Sequence, residues 1–202
     1  MIITSQKGRG TKIHLLIDGE YKITTDAEFW SLNSVADGAD ITDVEWEELV
    51  SAINYKKAFN KCADYLSRRN HSERELLDKV LKSGVDHDSA LKAIERFKEL
   101  GYINDRNFAF EYTEYLINSK RYSVNRVKQE LFHKGIAKDI ISEAIDGIEA
   151  DQAQTVVDII NKSYIRKLTE DGGKEKVIAA LMRRGFSYSD IKEAFNRLEN
   201  DE

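Results

Sequence analysis

Val80-Leu81-Lys82-Ser83-Gly84-Val85, Leu131-Phe132-His133-Lys134-Gly135-Ile136 and Leu181-Met182-Arg183-Arg184-Gly185-Phe186 are three copies of one pattern, spaced 51 and then 50 positions apart. Each reads apolar, apolar, polar, polar, Gly, apolar. Two apolar residues in a last turn, a Gly just beyond it and an apolar residue after the Gly are what a helix C-terminus requires. Gly takes the left-handed conformation without a Cβ clash, and the apolar residue folds back on the turn. The copies stay in phase downstream: Ala90, Ile141 and Ile191; Ala93, Ala144 and Ala194; Ile94, Ile145 and Phe195; Phe97, Ile148 and Leu198. Steps of three, one and three trace one face of a further helix. The unit is helix, Gly turn, helix, and three copies in register point to a repeat architecture.

Working outward, the segments before each copy supply a first helix. Residues 54–69 place Ala58, Cys62, Tyr65 and Leu66 on one face, and Ser72-x-x-Glu75 caps the next helix. Asp86 or Asp88 starts the third, which ends at Gly101. The second repeat opens with Asn104 or Asp105 as N-cap, with Phe108, Tyr112, Tyr115 and Leu116 inward, and continues after Lys120-Arg121-Tyr122-Ser123 with Val127, Leu131 and Phe132. The third opens near Asp151, carries Val156, Ile159 and Ile160, and is interrupted at residues 169–173, a Gly-containing flexible point. The expected organisation is mainly α: three tandem three-helix-bundle repeats, at 54–102, 103–150 and 151–202, in an elongated array. A bundle of about fifty residues is small for independence, so neighbours are expected to support one another.

Residues 1–53 behave differently. Two β-prone runs, 11–17 and 20–24, flank Asp18-Gly19, a pair that supplies the positive φ angles of a tight hairpin turn; residues 2–4 offer a third strand. Thr25-x-x-Glu28 and Thr42-x-x-Glu45 have the form of capping boxes, the second before Trp46, Leu49, Val50 and Ile53.

The chain of 202 residues contains no Pro, a single cysteine (Cys62) and a formal net charge of −5. One cysteine excludes an internal disulfide and fits a reducing, cytoplasmic setting. No apolar run reaches the length of a membrane span. His14, His71, His87 and His133 lack metal-ligand spacing, Gly8-Arg9-Gly10 lacks the helix and Lys-Ser/Thr of a phosphate loop, and paired carboxylates fall in acidic surface runs. No catalytic residue, metal or cofactor is expected, and no enzyme activity.

Charge is distributed unevenly. Residues 54–84 carry eight basic against four acidic residues, 119–138 six against Glu130 alone, and 162–184 seven against three. Asp139, Glu143, Asp146, Glu149 and Asp151 form a balancing acidic run. Two readings stand. If the basic sides align, they track an extended polyanion or acidic partner; otherwise Lys and Arg in last turns complement helix dipoles.

Leu66-Ser67-Arg68-Arg69-x-x-Ser72-x-x-Glu75-Leu76, Leu100-Gly101-Tyr102-Ile103-Asn104-Asp105 with Phe108-Ala109, Gln129-Glu130-Leu131-x-x-Lys134-Gly135-Ile136 and Leu181-Met182-Arg183-Arg184-Gly185-Phe186-Ser187-Tyr188 together resemble the RecX family of recombination regulators, over about residues 58 to 198. The resemblance implies a protein that binds the RecA recombinase filament on single-stranded DNA and inhibits strand exchange, ATP hydrolysis and co-protease activity, tempering DNA repair by homologous recombination and the SOS response; a monomer is expected. Modules about 25 Å across would reach about 75 Å in line, enough to touch more than one filament subunit, with the contacts adding by avidity. Arg68, Arg69, Arg74, Lys120, Arg121, Arg126, Lys128, Lys134, Arg183 and Arg184 are the expected filament- or DNA-facing residues. A direct nucleic-acid-binding protein with helix-turn-helix-like units is the alternative, weak DNA contact staying open in either case, and a plain helical scaffold is the third reading.

Overall fold

The computed structural model describes residues 1–200. Three strands come first: β1 (Ile3–Lys7), β2 (Lys12–Ile17) and β3 (Glu20–Asp26) form an antiparallel sheet in the order β1-β2-β3. Asp18 and Gly19, both at positive φ, make the turn between β2 and β3. A register shift between Leu15 and Leu16 lets Leu15, Leu16 and Ile17 all be buried. Helix α1 (Ala27–Asn33) and helix α2 (Asp43–Leu66) follow. Leu15 packs with Phe29 of α1 and Ile53 of α2, while Ile3 and Ile17 pack with Ile41. This cover answers the marginal stability of a small isolated sheet.

Eight of the remaining helices build the modules with the second half of α2: α3 (Glu73–Lys82), α4 (His87–Glu99), α5 (Asp105–Glu114), α6 (Val124–His133), α7 (Lys138–Asp146), α8 (Gln152–Ser163), α10 (Gly173–Arg183) and α11 (Tyr188–Asn200), with a short α9 (Ile165–Leu168) before α10. A π-helical turn, Tyr115–Ser119, extends α5. Side-chain caps start most of them. Ser72 accepts from Glu75 N, Asp86 from Ser89 N, Asn104 from Asn107 N, Ser123 from Arg126 N and Asp151 from Gln154 N.

Two compact units divide the chain. One comprises residues 1–69 and 76–102, the other residues 70–75 and 103–202. In the first, α2 packs on α4, and Tyr55, Phe59, Phe97 and Tyr102 form a chain of ring contacts. In the second, two cores form: Phe108, Leu116, Ile117, Val127, Leu131, Ile136 and Ile141, and then Val156, Ile160, Val177, Leu181, Phe186, Ile191 and Phe195. Of the positions read from the repeat, Ala90, Ile141, Ile191, Ala93, Ala144, Ala194, Ile94, Phe195 and Phe97 are buried, while Ile145, Ile148 and Leu198 are half-buried at the edge of their cores.

Four local expectations are corrected. Asp26, not Thr25, caps α1, accepting from Phe29 N at 2.7 Å; Thr25 is buried on β3. The helix expected to begin near Asn54 is instead the continuation of α2, unbroken because residues 43–66 contain no Gly or Pro. Tyr115 is not inward but exposed at the start of the π-turn, while Leu116 and Ile117 beside it are buried in line with Phe108, Ala109 and Thr113. Phe132 is exposed, as is Met182 one repeat later; in these copies only the first apolar residue, Leu131 or Leu181, enters the core.

At Gly135 two demands coincide. Its φ is +83°, and a Cβ there would lie 2.6 Å from Arg74 Cβ. Gly84 has the same backbone but nothing within 4 Å. Gly135→Val is expected to cost at least about 2 kcal/mol, left-handed strain plus overpacking, and Gly84→Val only about 1–2 kcal/mol. Urea denaturation of the two variants measures this; equal losses would show that the approach to Arg74 contributes nothing.

Candidate functional site

Within the second unit, a repeated contact positions the basic residues. Ser72, fully buried, accepts from Glu75 N and donates its hydroxyl hydrogen to the Lys134 carbonyl at 2.6 Å. Ser123, one repeat on and also buried, accepts from Arg126 N and donates to the Arg184 carbonyl at 2.9 Å. Thus the last turn of α6 sits on the N-cap of α3, and the last turn of α10 on the N-cap of α6. Gly185 allows the second approach as Gly135 allows the first: a Cβ there would meet Ser123 Oγ at 2.6 Å. Asn125 donates to the Gly185 carbonyl, and Val124 N donates to Gln152 Oε1.

Lys120, Arg121 and Arg184 are brought together by this arrangement. With Lys162, Asp158 and Ile159 they line a cleft of about 380 Å³ between the second and third modules. Arg121 Nη2 lies 3.8 Å from Asp158 Oδ2, a loose pair. The Lys120 ammonium stands 5.4 Å from the Tyr115 ring centroid, and hydrogen bonding to the Tyr115 hydroxyl holds its pKa above the ordinary lysine value.

Other expected site residues are distributed more widely. Arg126 stacks on the Tyr122 ring at 4.0 Å and pairs with Glu130. Lys134 bonds Glu75 Oε1 at 2.7 Å, with Glu75 itself largely buried and also beside His71. Arg74 runs its stem under Gly135. Lys128 and Arg183 are exposed and make no ion pair among the described residues. In the first unit, Arg68 pairs with Asp64 one turn earlier, and Arg69 is exposed. Lys162 and Asp158 escaped the sequence reading because neither belongs to a repeated position; only the local excess of lysine and arginine around 162–184 pointed there.

Cys62 is wholly buried, and burial pushes its thiol up to about 11. Among the described residues, no group of three or more His, Cys, Asp or Glu could hold a metal ion, and no helix is long and apolar enough to cross a membrane.

Capped helices in tandem three-helix repeats, with buried serines tying helix ends together inside the second unit, define the protein as a tandem helical-repeat protein with a cation-rich surface. Family comparisons agree: residues 58–97 match RecX, first three-helix domain, and residues 104–145 match RecX, second three-helix domain. Regulatory protein RecX of Caldanaerobacter subterraneus subsp. tengcongensis is 30% identical, with 97% of this chain and 99% of that protein covered. The namesake from Bacillus subtilis is 28% identical over 99% of this chain and 78% of its own length. A crystal structure of regulatory protein RecX shares the fold at a TM-score of 0.69 and 21% identity, covering 96% of this chain and 97% of that one. RecX from Lactobacillus salivarius superposes at 0.64 with 26% identity, over 73% of this chain and 98% of its own. The chain belongs to the RecX family.

Two outcomes are expected. Ser123→Ala removes a helix cap and leaves the Arg184 carbonyl without its donor, costing about 1–3 kcal/mol in urea denaturation; an unchanged midpoint would show that the contact is dispensable. Cys62 is expected to resist a disulfide reagent at pH 8 until the chain is unfolded. Because its folded pKa is raised, its contribution to stability is complete below about pH 9 and is lost as pH climbs towards 11. Rapid labelling of the native protein would contradict that burial.

Proposed function

We propose that this protein is a non-enzymatic cytoplasmic regulator that binds the RecA recombinase filament on single-stranded DNA and restrains its strand exchange, ATP hydrolysis and co-protease activity. Family membership over nearly the whole chain is the observation that carries the reading. The relatives are named regulatory proteins, which supports a regulatory role here.

Physical features of the second unit support the recombinase as target. A filament presents the same surface again and again, and a ligand with repeated contacts gains from each later contact being intramolecular. Ser72 and Ser123 hold equivalent turns, so that Lys134 and Arg184, whose carbonyls they bond, stand at equivalent backbone positions one repeat apart. Direct sequence readout by a recognition helix has less support, because the cations lie on α6, on α10 and in the segment after the π-turn rather than along one helix.

Lys128 and Arg183 test the reading cleanly, since neither is engaged in an ion pair among the described residues. Lys128→Glu combined with Arg183→Glu is expected to raise the concentration needed to half-inhibit ATP hydrolysis by RecA on single-stranded DNA about tenfold, equivalent to about 1.4 kcal/mol. The melting temperature is expected to hold, as exposed substitutions cost little. Unchanged inhibition would remove these residues from the filament-facing surface, and wild-type protein without effect on the filament would sink the proposal itself.

A further inference from the structure

Three unusual features meet at one place in the second unit. The first is the π-turn at Tyr115–Ser119, which closes α5 with a bond from Lys120 N to the Tyr115 carbonyl. The second is Arg121, which has φ of +56°; the one other non-glycine residue with positive φ among the described residues is Asp18, in a hairpin turn that tolerates Asp. The third is the cleft lined by Lys120, Arg121, Lys162 and Arg184, four cations facing the single carboxylate of Asp158.

Arg121 occupies the place that Gly holds at the matching helix ends. At Gly101, Gly135 and Gly185 the glycine N–H bonds the carbonyl three residues back, and the next N–H bonds the carbonyl five back. At Arg121 the spans are four and six, from Arg121 N to Ile117 O and from Tyr122 N to Leu116 O. The cap is the same with one residue added, and the left-handed position carries a guanidinium instead of a hydrogen. A non-glycine residue there is strained, and strain held in a defined place is grounds for inferring function. What the exchange supplies is a cation at the cleft, beside Lys120.

We propose that this cleft is a phosphodiester site for single-stranded nucleic acid, with Lys120, Arg121, Lys162 and Arg184 on the phosphates and Tyr115 as the adjoining base platform. Several observations favour a strand over an acidic peptide. Asp158 reaches Arg121 only at 3.8 Å, and Lys162 and Arg184 make no ion pair among the described residues, which leaves a surplus of positive charge for a multi-oxygen anion. Guanidinium groups grip phosphate through paired N–H donors, and ammonium groups add point charge. Tyr115 is exposed, lies against the Lys120 ammonium and stacks at 21° on Tyr112, which fixes its plane. A charged groove beside an aromatic face is the combination that holds single strands without sequence preference. The cleft, at about 380 Å³, is large against the roughly 30 Å³ share of a water molecule. The inference does not depend on recombinase binding, since the strand is bound by this chain alone.

The test is fluorescence anisotropy with a labelled oligothymidylate of about 15 nucleotides, a length suited to a short strand site, and the full-length protein. Arg121→Gly is expected to weaken binding about tenfold and to lower the salt slope by about 0.7, while its melting temperature equals or exceeds that of the wild type because the strain is relieved. Lys162→Gln is expected to weaken binding in the same direction. An abasic strand with the same number of phosphates is expected to bind less tightly, and Tyr115→Leu to erase that difference. Unchanged affinity in Arg121→Gly and Lys162→Gln would overturn the site. So would a lowered melting temperature in Arg121→Gly, which would make Arg121 a structural residue. Inorganic phosphate or a polyglutamate peptide competing as well as the oligomer at equal charge would overturn the strand as its ligand.

Discussion

A buried serine hydroxyl that serves two helices at once is the contact on which the second unit depends. Ser72 and Ser123 each cap the helix that follows them and donate to a carbonyl from the last turn of a helix about sixty residues later. A hydroxyl has one hydrogen and two lone pairs, so the two roles do not compete. Each bond contributes only about 0.5–1.5 kcal/mol, but a buried carbonyl left without a donor costs about 1–3 kcal/mol, so the pairing is enforced more by the penalty of its absence than by its strength. The approach needs a residue without a Cβ opposite, which is why Gly135 faces Arg74 and Gly185 faces Ser123. Cap, glycine and serine are therefore one device used twice.

That device sorts the cations by what they do. Lys134, held between Glu75 and the Tyr112 ring, and Arg126, laid on Tyr122, take part in the packing of the turns that carry them. Lys128, Lys162 and Arg183 take part in no ion pair among the described residues. A net charge of −5 is thus compatible with a polyanion-seeking surface, because the acidic residues concentrate elsewhere, on α7 and in the segment before α8. Electrostatic attraction over such a surface governs encounter and salt dependence more than the fold.

Much of the architecture was legible because helix ends are written in local chemistry. Asp86, Asn104, Ser123 and Asp151 begin helices, and the glycines end them, since each residue acts on a backbone group within a few positions. Local rules also mark where reading failed. Asp26, the last residue of β3, directly precedes α1 and takes the first cap, while Thr25 one residue earlier is buried in the strand. Tyr115 fits the inward face of an ideal helix by its spacing from Phe108, yet it is exposed, because the core beside it is already filled by Leu116 and Ile117. The repeat's second apolar position, Phe132 and Met182, is exposed despite its hydrophobicity, because burial depends on which neighbour arrives.

By itself the sequence determined the helical repeat, the turns and most of the buried face, since each follows from interactions within one turn or one periodic stripe. Only the tertiary structure decided which cations meet. Lys120 and Arg121, Lys162, and Arg184 stand some forty and then twenty positions apart, and they share a cleft because the last turn of α10 settles on Ser123. Their convergence is a consequence of packing between modules, and charge spacing along a chain carries no record of which turns will be laid side by side.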